Sequence, residues 1–532
     1  MIRIGNASGF YGDRASAWRE MLEGGPLDVL TGDYLAELTM LILARDRLKD
    51  PSLGYARTFL RQMEQCLGLA ADRGVRIVTN AGGLNPAGLA AALRSLAARL
   101  GLSTTIGYVE GDALDQPDAL AANAYLGAFG IASCLDAGAD VVVTGRVTDA
   151  SLVVGPAIAH FGWTRDDLDA LAGATVAGHV LECGAQATGG NFSFFTELPD
   201  GGRRPGFPIA EVHADGSAVI TKHPGTGGAV TVETVTAQLV YEIAGPAYPG
   251  PDVVTHLDTV RLAQEGADRV RITGTRGTPP PPTLKVGVAG LDGYRNAMTF
   301  VLTGLDLDAK AALVRAQMED AVGKEGLAFT LTKTADGALL HAAIHDPDPK
   351  RAGRAFSSAA VELALASYPG CTLTTPPTDP TPNTTFKTAE IPQLPHWSIP
   401  HDGPRVEIPP PTQTAPLIRE YVDRHAARHA DELPDQLRWR VGARSGDKGS
   451  DANVGVWVRS AQDFAVLRGW LSRERFVELL PELAEYPIER YEMSNLFAIN
   501  FVVRGVLARR DWLDPQGKAL GERLRARLRE SR

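Results

Sequence analysis

Along the first 190 residues the apolar and polar positions repeat one order: a short apolar run, a turn of small residues, then a segment with helical spacing. "IRIG" runs into Asn6-Ala7-Ser8-Gly9. "VRIVT" (75–79) runs into "NAGGLNP", "TTIGYV" (104–109) into "EGDALDQPD", and "ADVVVTG" (139–145) into "RVTDASL". The runs are continuous instead of alternating, as expected for strands covered on both faces. Helical patterns lie between them, notably at 33–48 and 86–100. This order predicts an α/β region with a parallel, Rossmann-like sheet over residues 1–190.

From 191 to 371 the texture changes to strands and turns, an α+β middle region. "AEVHADGSAVITKH" reads as a hairpin closed at Asp215-Gly216. Further on, a strand, a helix at 308–323, a hairpin turning at Asp336-Gly337 and a helix at 351–367 give the order β-α-β-β-α, which hints at a ferredoxin-like unit. Residues 372–416 carry twelve prolines, which predicts an extended strap or linker over 372–434 in place of regular helix or central strand. A last module, 435–532, reads as strand, loop, strand, a helix at 472–485, the strand "FAINFVVRGVL" and an Arg-rich helix.

Composition narrows the class. The chain has 532 residues, 44% hydrophobic and 22% charged, the profile of a soluble multidomain protein. A net charge of −10 argues against nucleic acid as a partner. The opening "MIRIGNASGFYGDR" lacks the basic and apolar regions of a secretory signal, and no apolar run approaches a membrane span. Four cysteines (Cys66, Cys134, Cys183, Cys371) without a C-x-x-C pair suit a reducing compartment, so a cytoplasmic location is expected. No metal is expected. His425-x-x-x-His429 lacks the Glu of H-E-x-x-H, and His341-x-x-x-His345 lies in a strand pattern that holds the rings apart.

Candidate chemistry gathers at the strand ends, where open α/β sheets bind ligands. Asn6, Ser8, Asn80, Gly82, Gly83, Asn85, Arg146, Thr148 and Asp149 stand there. Asn85-Pro86 suits a helix N-cap and first turn, whose amides can also receive an anion. Arg146 offers a forked donor for a carboxylate or phosphate. Asp149 and Glu182 are candidate general bases if burial raises their pKa. Asn191 and His223 lie in nearby Gly-rich stretches. Cys183, beside Glu182, gains no activation from a carboxylate. Gly5-x-x-x-Gly9-x-x-Gly12 departs from the dinucleotide fingerprint, and Asp33 is better placed to cap the 34–48 helix than to hold a ribose. In "GARSGDKGSDANVG" (442–455) the spacing is not that of a P-loop. Arg444, Ser445, Asp447, Lys448 and Asn453 are polar groups of a long strand-to-strand loop that is expected to reach the N-terminal strand ends, within the chain or across a subunit interface, with Lys448 as a catalytic candidate.

Several of these stretches together resemble the acyclic terpene utilisation A family: "IGNASGFYGDR", "LTGDYLAELTM", "TNAGGLNP", "VTGRVTDASL", "ECGAQATGGNF", "HPGTGGAV" and "YEIAGPAYPGPDVV". "ARSGDKGSDANVGV" is similar to the start of the ferredoxin-fold module attached at that family's C-terminus. The resemblance implies a ferredoxin-like α+β fold for 435–532 and a place in bacterial breakdown of acyclic terpenes and branched acyl-CoA compounds. It carries over no catalytic residue.

The leading expectation is an enzyme acting on a small-molecule carboxylate or acyl-CoA by lyase, hydratase or hydrolase chemistry. No cofactor is expected, nor a membrane partner, and the expected assembly is a homo-oligomer. A non-catalytic subunit that binds an acyl compound or a partner enzyme is the second reading. A nicotinamide-dependent oxidoreductase, resting on the imperfect glycine loop, is the third.

Overall fold

The computed structural model describes residues 1–117, 119–374, 376–401, 403–417, 432–508 and 516–530, with the backbone alone of residues 384 and 508. The pair His425 and His429 lies outside them. Among the described residues the chain divides into two units, one within 1–288, 388–507 and 516–530, the other within 289–387 with 508.

The first unit is built on an eleven-stranded sheet. Five parallel strands form its middle: β1 (Ile2–Asn6), β2 (Val29–Gly32), β3 (Arg76–Thr79), β4 (Ile106–Glu110) and β5 (Val141–Thr144), in the spatial order β1-β2-β3-β5-β4. Beyond β1 the sheet continues antiparallel through β6 (Pro208–Val212), β7 (Ala218–Lys222), β9 (Arg269–Thr273) and β8 (Arg261–Gly266). Beyond β4 it is closed by β10 (His396–Ile399) and β11 (Val406–Ile408). The Pro-rich segment therefore does contain strands. Pro395, Pro400, Pro404 and Pro409 bracket these two and leave their ladder amides intact, whereas the strand Thr381–Pro392 of the same segment carries Pro382 beside its start and Pro392 as its last residue.

Helices cover both faces. Those at Ala17–Gly24 (α1), Arg57–Arg73 and Pro86–Leu100 share an apolar cluster with Leu30, Ile77, Val141 and Val143. Those at Phe129–Asp136, Ser151–Phe161 and Leu168–Leu181 pack with Val29, Val78 and Val142 on the other side. Consecutive valines of β5 thus face opposite clusters, and this is why the run reads as continuous. The helix at 86–100 starts as expected: the Asn85 side chain accepts from Gly88 N at 2.9 Å, with Pro86 in the first turn. The 33–48 helix does not. It spans Glu37–Lys49 with Ala36 at the cap, so Asp33 is not a capping residue.

The C-terminal sheet belongs to the same unit and has the order β12 (Gly442–Lys448), β13 (Asp451–Trp457), β15 (Ala498–Val503), β14 (Ile488–Met493), all antiparallel. With helices at Ala461–Trp470 and Arg473–Leu479 before β14 and Leu520–Glu530 after β15, this is a ferredoxin-like sheet whose chain enters one strand later than usual. β14 and the helix at 461–470 went unread in the sequence. The long loop expected at 442–455 is instead a tight hairpin, with Lys448 opposite Asp451 across Gly449-Ser450. Its glycines misled the reading. A Cβ at Gly442 would collide with the Trp457 ring, one at Gly446 with Tyr241 and one at Gly455 with Val240, so these are strand positions where neighbouring groups come close.

In the second unit, strands Leu327–Thr334 and Gly337–Asp346 form a hairpin beside the long strand Thr283–Thr303, followed by the short strand Thr372–Leu373. Helices Leu307–Val322 and Phe356–Ala366 complete the β-α-β-β-α order read from the sequence. Among the described residues, no helix is long and apolar enough to cross a membrane.

The hairpin glycines give a direct test. Gly455→Val forces a branched side chain into Val240, an overpacking that costs about 1–3 kcal/mol, and is expected to lower Tm by several degrees. Gly266→Val, at an exposed strand position with nothing within 4 Å of the new Cβ, is expected to leave Tm within about a degree of wild type. Equal melting of both variants in a thermal scan would remove the close-approach explanation.

Candidate functional site

The carboxyl ends of the parallel strands are tied together by buried amides and a buried acid. Asn6 Nδ2 donates to the carbonyls of Leu181 (2.6 Å) and Glu182 (3.3 Å), fixing the end of the 168–181 helix over β1. Asp33 is 4% exposed. Its carboxylate accepts from Asn80 Nδ2 at 2.6 Å and from Leu35 N at 3.1 Å. Ser8 Oγ donates to the Asp33 carbonyl at 2.9 Å. Burial, then the charge of Asp149, hold the Asp33 carboxyl well above its ordinary pKa, against the opposing pull of Arg146.

Arg146 follows β5 and is almost fully buried. Its guanidinium donates to Asp149 at 2.6 Å and to the Val147 carbonyl at 3.2 Å, and lies 4.1 Å from the centre of the Tyr125 ring. Its backbone N–H donates to Asp112 at 2.9 Å, and Asn123 donates to the same carboxylate at 2.7 Å. Burial still pushes Asp112 up to about 6. Thr148 spends its hydroxyl on Ser151 (2.6 Å). Asp149 is the opening of this group to solvent, its side chain 30% exposed.

The end of the 168–181 helix and the C-terminal hairpin meet the same group. His179 Nδ1 and Glu182 Oε1 are 2.8 Å apart, one helical turn from each other. The His179 ring packs on Tyr248 with centroids 5.1 Å apart, and Lys448 Nζ lies 5.5 Å from the centre of that ring. Burial, then Lys448, pull the imidazole down to about 4. Burial, then Asp149, push Glu182 well up, with Lys448 opposing. Burial pushes Glu242 up to about 7, with Asp447 adding to the rise and Lys448 opposing it. Asp447 itself is pushed up to about 6 by burial and by Glu37. The Lys448 ammonium is held charged: Tyr248, Glu242, Glu182 and Asp149 together outweigh the cost of its burial. Acids that share one field, some of them protonated near neutrality, surround a lysine and a neutral imidazole.

Of the candidate residues, the structure brings together Asn6, Ser8, Asn80, Arg146, Asp149, Glu182, Asp447 and Lys448, with Thr148 beside them. Others have different work. Asn85 uses its amide to cap a helix and to donate to the carbonyls of Ser52 (3.0 Å) and Leu53 (3.1 Å). Gly82 and Gly83 pack against Pro86 and Leu43, their missing Cβ atoms accommodating protein and not ligand. His223 is directed to the Met21 carbonyl (2.9 Å) and against Gly24 and Gly25 at the end of α1. Arg444 donates to the carbonyls of Gly190 (3.3 Å) and Asn191 (2.6 Å), a latch between the two sheets, and Asn191 takes part through its backbone. Ser445 accepts from Gly521 N (2.9 Å) at the final helix. Asn453 accepts from Glu242 N (2.8 Å) and donates to Val240 O (2.7 Å).

Sequence reasoning passed over His179, Glu242, Tyr248 and Tyr125. A signal existed for His179, three residues before Glu182 in a helical pattern. "YEIAGPAYPG" sets an acid and two tyrosines among glycines and prolines, which marks an irregular backbone but no particular chemistry.

An α/β sheet joined to a ferredoxin-like module, with one charged site drawn from both, defines the class of protein. Residues 2–119 and 113–396 match the model of the acyclic terpene utilisation family protein AtuA, and residues 436–528 match that of the AtuA ferredoxin-like domain. The chain belongs to the AtuA family of acyclic terpene utilisation proteins. No curated protein matches it.

The raised acids set a pH dependence. A carboxyl whose folded pKa lies above its unfolded value stabilises the fold below the unfolded value, and that contribution is lost as pH rises through the folded one. For Glu242 the window runs from the ordinary 4.5 to about 7. Glu242→Gln keeps the neutral form at every pH. Its Tm is expected to gain on wild type as pH rises from 4.5 to 7 and to hold a constant difference above that. A difference that does not vary with pH would mean that Glu242 is not shifted.

Proposed function

We propose that this protein is an enzyme that acts on an acyclic, branched carboxylate or its acyl-CoA thioester, by lyase or hydratase chemistry that moves protons. One observation carries the reading: the C-terminal module places Lys448, held charged, among Asp149, Glu182, Glu242, His179 and Tyr248 of the first region. A buried ammonium among partly protonated acids can neutralise the negative charge that develops on a carboxylate or thioester oxygen, while the acids and imidazole exchange protons. Thioester hydrolysis through a cysteine is the weaker form of the proposal. Burial, then Glu242 and Glu182, push the Cys183 thiol well up, away from the reactive thiolate. The family's link to acyclic terpene utilisation supports the branched acyclic substrate. Four unpaired cysteines support a reducing, cytoplasmic setting.

The test is a turnover screen by mass spectrometry over branched acyl-CoA thioesters and free acids, with wild type and Lys448→Ala side by side. Wild type is expected to convert at least one thioester, and the variant to lose about 100–1,000-fold in kcat/KM, the scale of one lost electrostatic stabiliser. Arg444→Ala, which breaks a latch and not the site, is expected to lower Tm by more than it lowers kcat at a permissive temperature. Ligand-induced thermal stabilisation without turnover of any compound would favour the binding-subunit reading.

A further inference from the structure

A cavity of about 480 Å³ lies where the edge strand β8 meets the C-terminal module. It is lined by Asp258, Thr259, Arg261, Gly274, Arg276 and Asn495, and none of these belongs to the group around Lys448. Small-molecule sites typically measure about 300–1,000 Å³, so the space suits an organic molecule larger than a single ion. The lining holds no hydrophobic residue, which fits a polar ligand and not a hydrocarbon chain.

The walls are fixed by bonds of their own. Asn495, in the Ser494–Leu496 turn between β14 and β15, donates from Nδ2 to the carbonyls of Leu257 (2.9 Å) and Val260 (2.8 Å). The Thr259 hydroxyl accepts from Arg276 N at 3.0 Å and donates to the His256 carbonyl at 2.6 Å. Gly274 turns the chain between β9 and Arg276 at φ 76, and a Cβ there would stand 3.2 Å from the Thr259 carbonyl. The cavity is therefore preformed, and two guanidiniums reach it from separate strands, β8 and Arg276–Thr278.

These guanidiniums are largely unspent. Arg261 is exposed and forms no ion pair among the described residues. Arg276 donates to Asp169 at 2.6 Å with 70% of its side chain open to solvent, so most of its donors stay available. The one acid in the lining, Asp258, is exposed as well.

We infer that this cavity binds a polar organic phosphate, with Arg261 and Arg276 as the two forks that hold the phosphate group. A carboxylate fills one fork, whereas the terminal oxygens of a phosphate monoester serve two. Two sources carry this chemistry: a free phosphorylated metabolite, such as a sugar phosphate, and the nucleotide end of a coenzyme A thioester. The site is independent of the acyl-thioester reading, since it shares no residue with the Lys448 group.

The experiment is calorimetric titration of the full chain at low salt with inorganic phosphate, glucose 6-phosphate, 3′,5′-ADP and coenzyme A. Wild type is expected to bind at least one organic phosphate more tightly than inorganic phosphate. Arg261→Gln is expected to weaken that binding about tenfold or more, the scale of one lost charge-assisted contact. Asp258→Asn removes the acid, keeps the shape and is expected to tighten binding. Both positions are exposed, so both variants are expected to keep the wild-type Tm. Binding of 3′,5′-ADP and coenzyme A but not glucose 6-phosphate supports the site and assigns the nucleotide end. The reverse supports the site and assigns a free metabolite. Inorganic phosphate binding as tightly as every organic phosphate overturns the organic ligand, and weaker binding by Asp258→Asn overturns the phosphate. No binding of any probe, or binding indifferent to Arg261→Gln, overturns the site and leaves the acyl-thioester reading standing.

Discussion

The architecture of the site depends on two asparagine amides. Asn453 on β13 and Asn500 on β15 are fully buried, and their side chains are joined at 2.8 Å. Asn453 accepts from Glu242 N and donates to Val240 O, and Asn500 donates to Ile243 O at 3.3 Å. Together they satisfy the backbone of the 240–243 turn, which has no regular secondary structure of its own. Glu242 sits there at φ 54, a left-handed conformation uncommon for a residue with a Cβ. Without the amides, three buried backbone groups would lie unpaired, at about 1–3 kcal/mol each. The clamp therefore secures the turn and, with it, the place of Glu242 beside Lys448.

Close approach makes the clamp possible. Gly446 and Gly455 let Tyr241 and Val240 lie directly on the β12–β13 hairpin, where any Cβ would hold the turn away. Arg444 secures a neighbouring contact, stacked 4.6 Å from the centre of the Tyr241 ring while it donates to the Gly190 and Asn191 carbonyls. The Ser193 hydroxyl adds its own bond to the Ala443 carbonyl at 2.7 Å. Polar groups that look like substrate ligands in the sequence are thus mostly the means by which one sheet is held to the other. The last residue of the strand, Lys448, stands at the mouth of a two-residue turn, 5.5 Å from the centre of the Tyr248 ring.

What was legible in the sequence follows from this division of labour. Four of the five parallel strands announced themselves by continuous apolar runs, because burial on both faces leaves only apolar residues. β2 is "VLTG", too short and too mixed to stand out, although all four of its residues are buried. The cap at Asn85 was legible because capping is local: partner and cap are three residues apart. Asp33 was misassigned for the opposite reason. Its partner Asn80 lies 47 residues away, and no local rule points to it. β12 and β13 were read as one loop because glycine and charge usually mark turns; here they mark packing against a segment 200 residues earlier. The site was half legible: the strand-end acids and Lys448 stood out by type and place, whereas His179, Glu242 and Tyr248 acquire meaning only where the chain returns on itself.

The balance of charge explains why the second sheet cannot be merely a neighbour of the first. Asp33, Asp149, Glu182 and Glu242 lie in one field with Arg146 as the cation of the first region, and Arg146 is committed to Asp149 at 2.6 Å. Four acids against one committed guanidinium must either take up protons or find a second cation, since buried like charges cannot all ionise. Both occur. Asp33, Glu182 and Glu242 are raised, and Lys448 arrives from β12 to lower the cost for Glu182 and Glu242. The same ammonium works against a proton on His179, the group closest to Glu182. One lysine therefore opposes the effect of burial at Glu182 and adds to it at His179. The Glu182 carboxyl still stands well above its ordinary pKa, so the C-terminal module moderates the proton affinity that burial creates there without cancelling it.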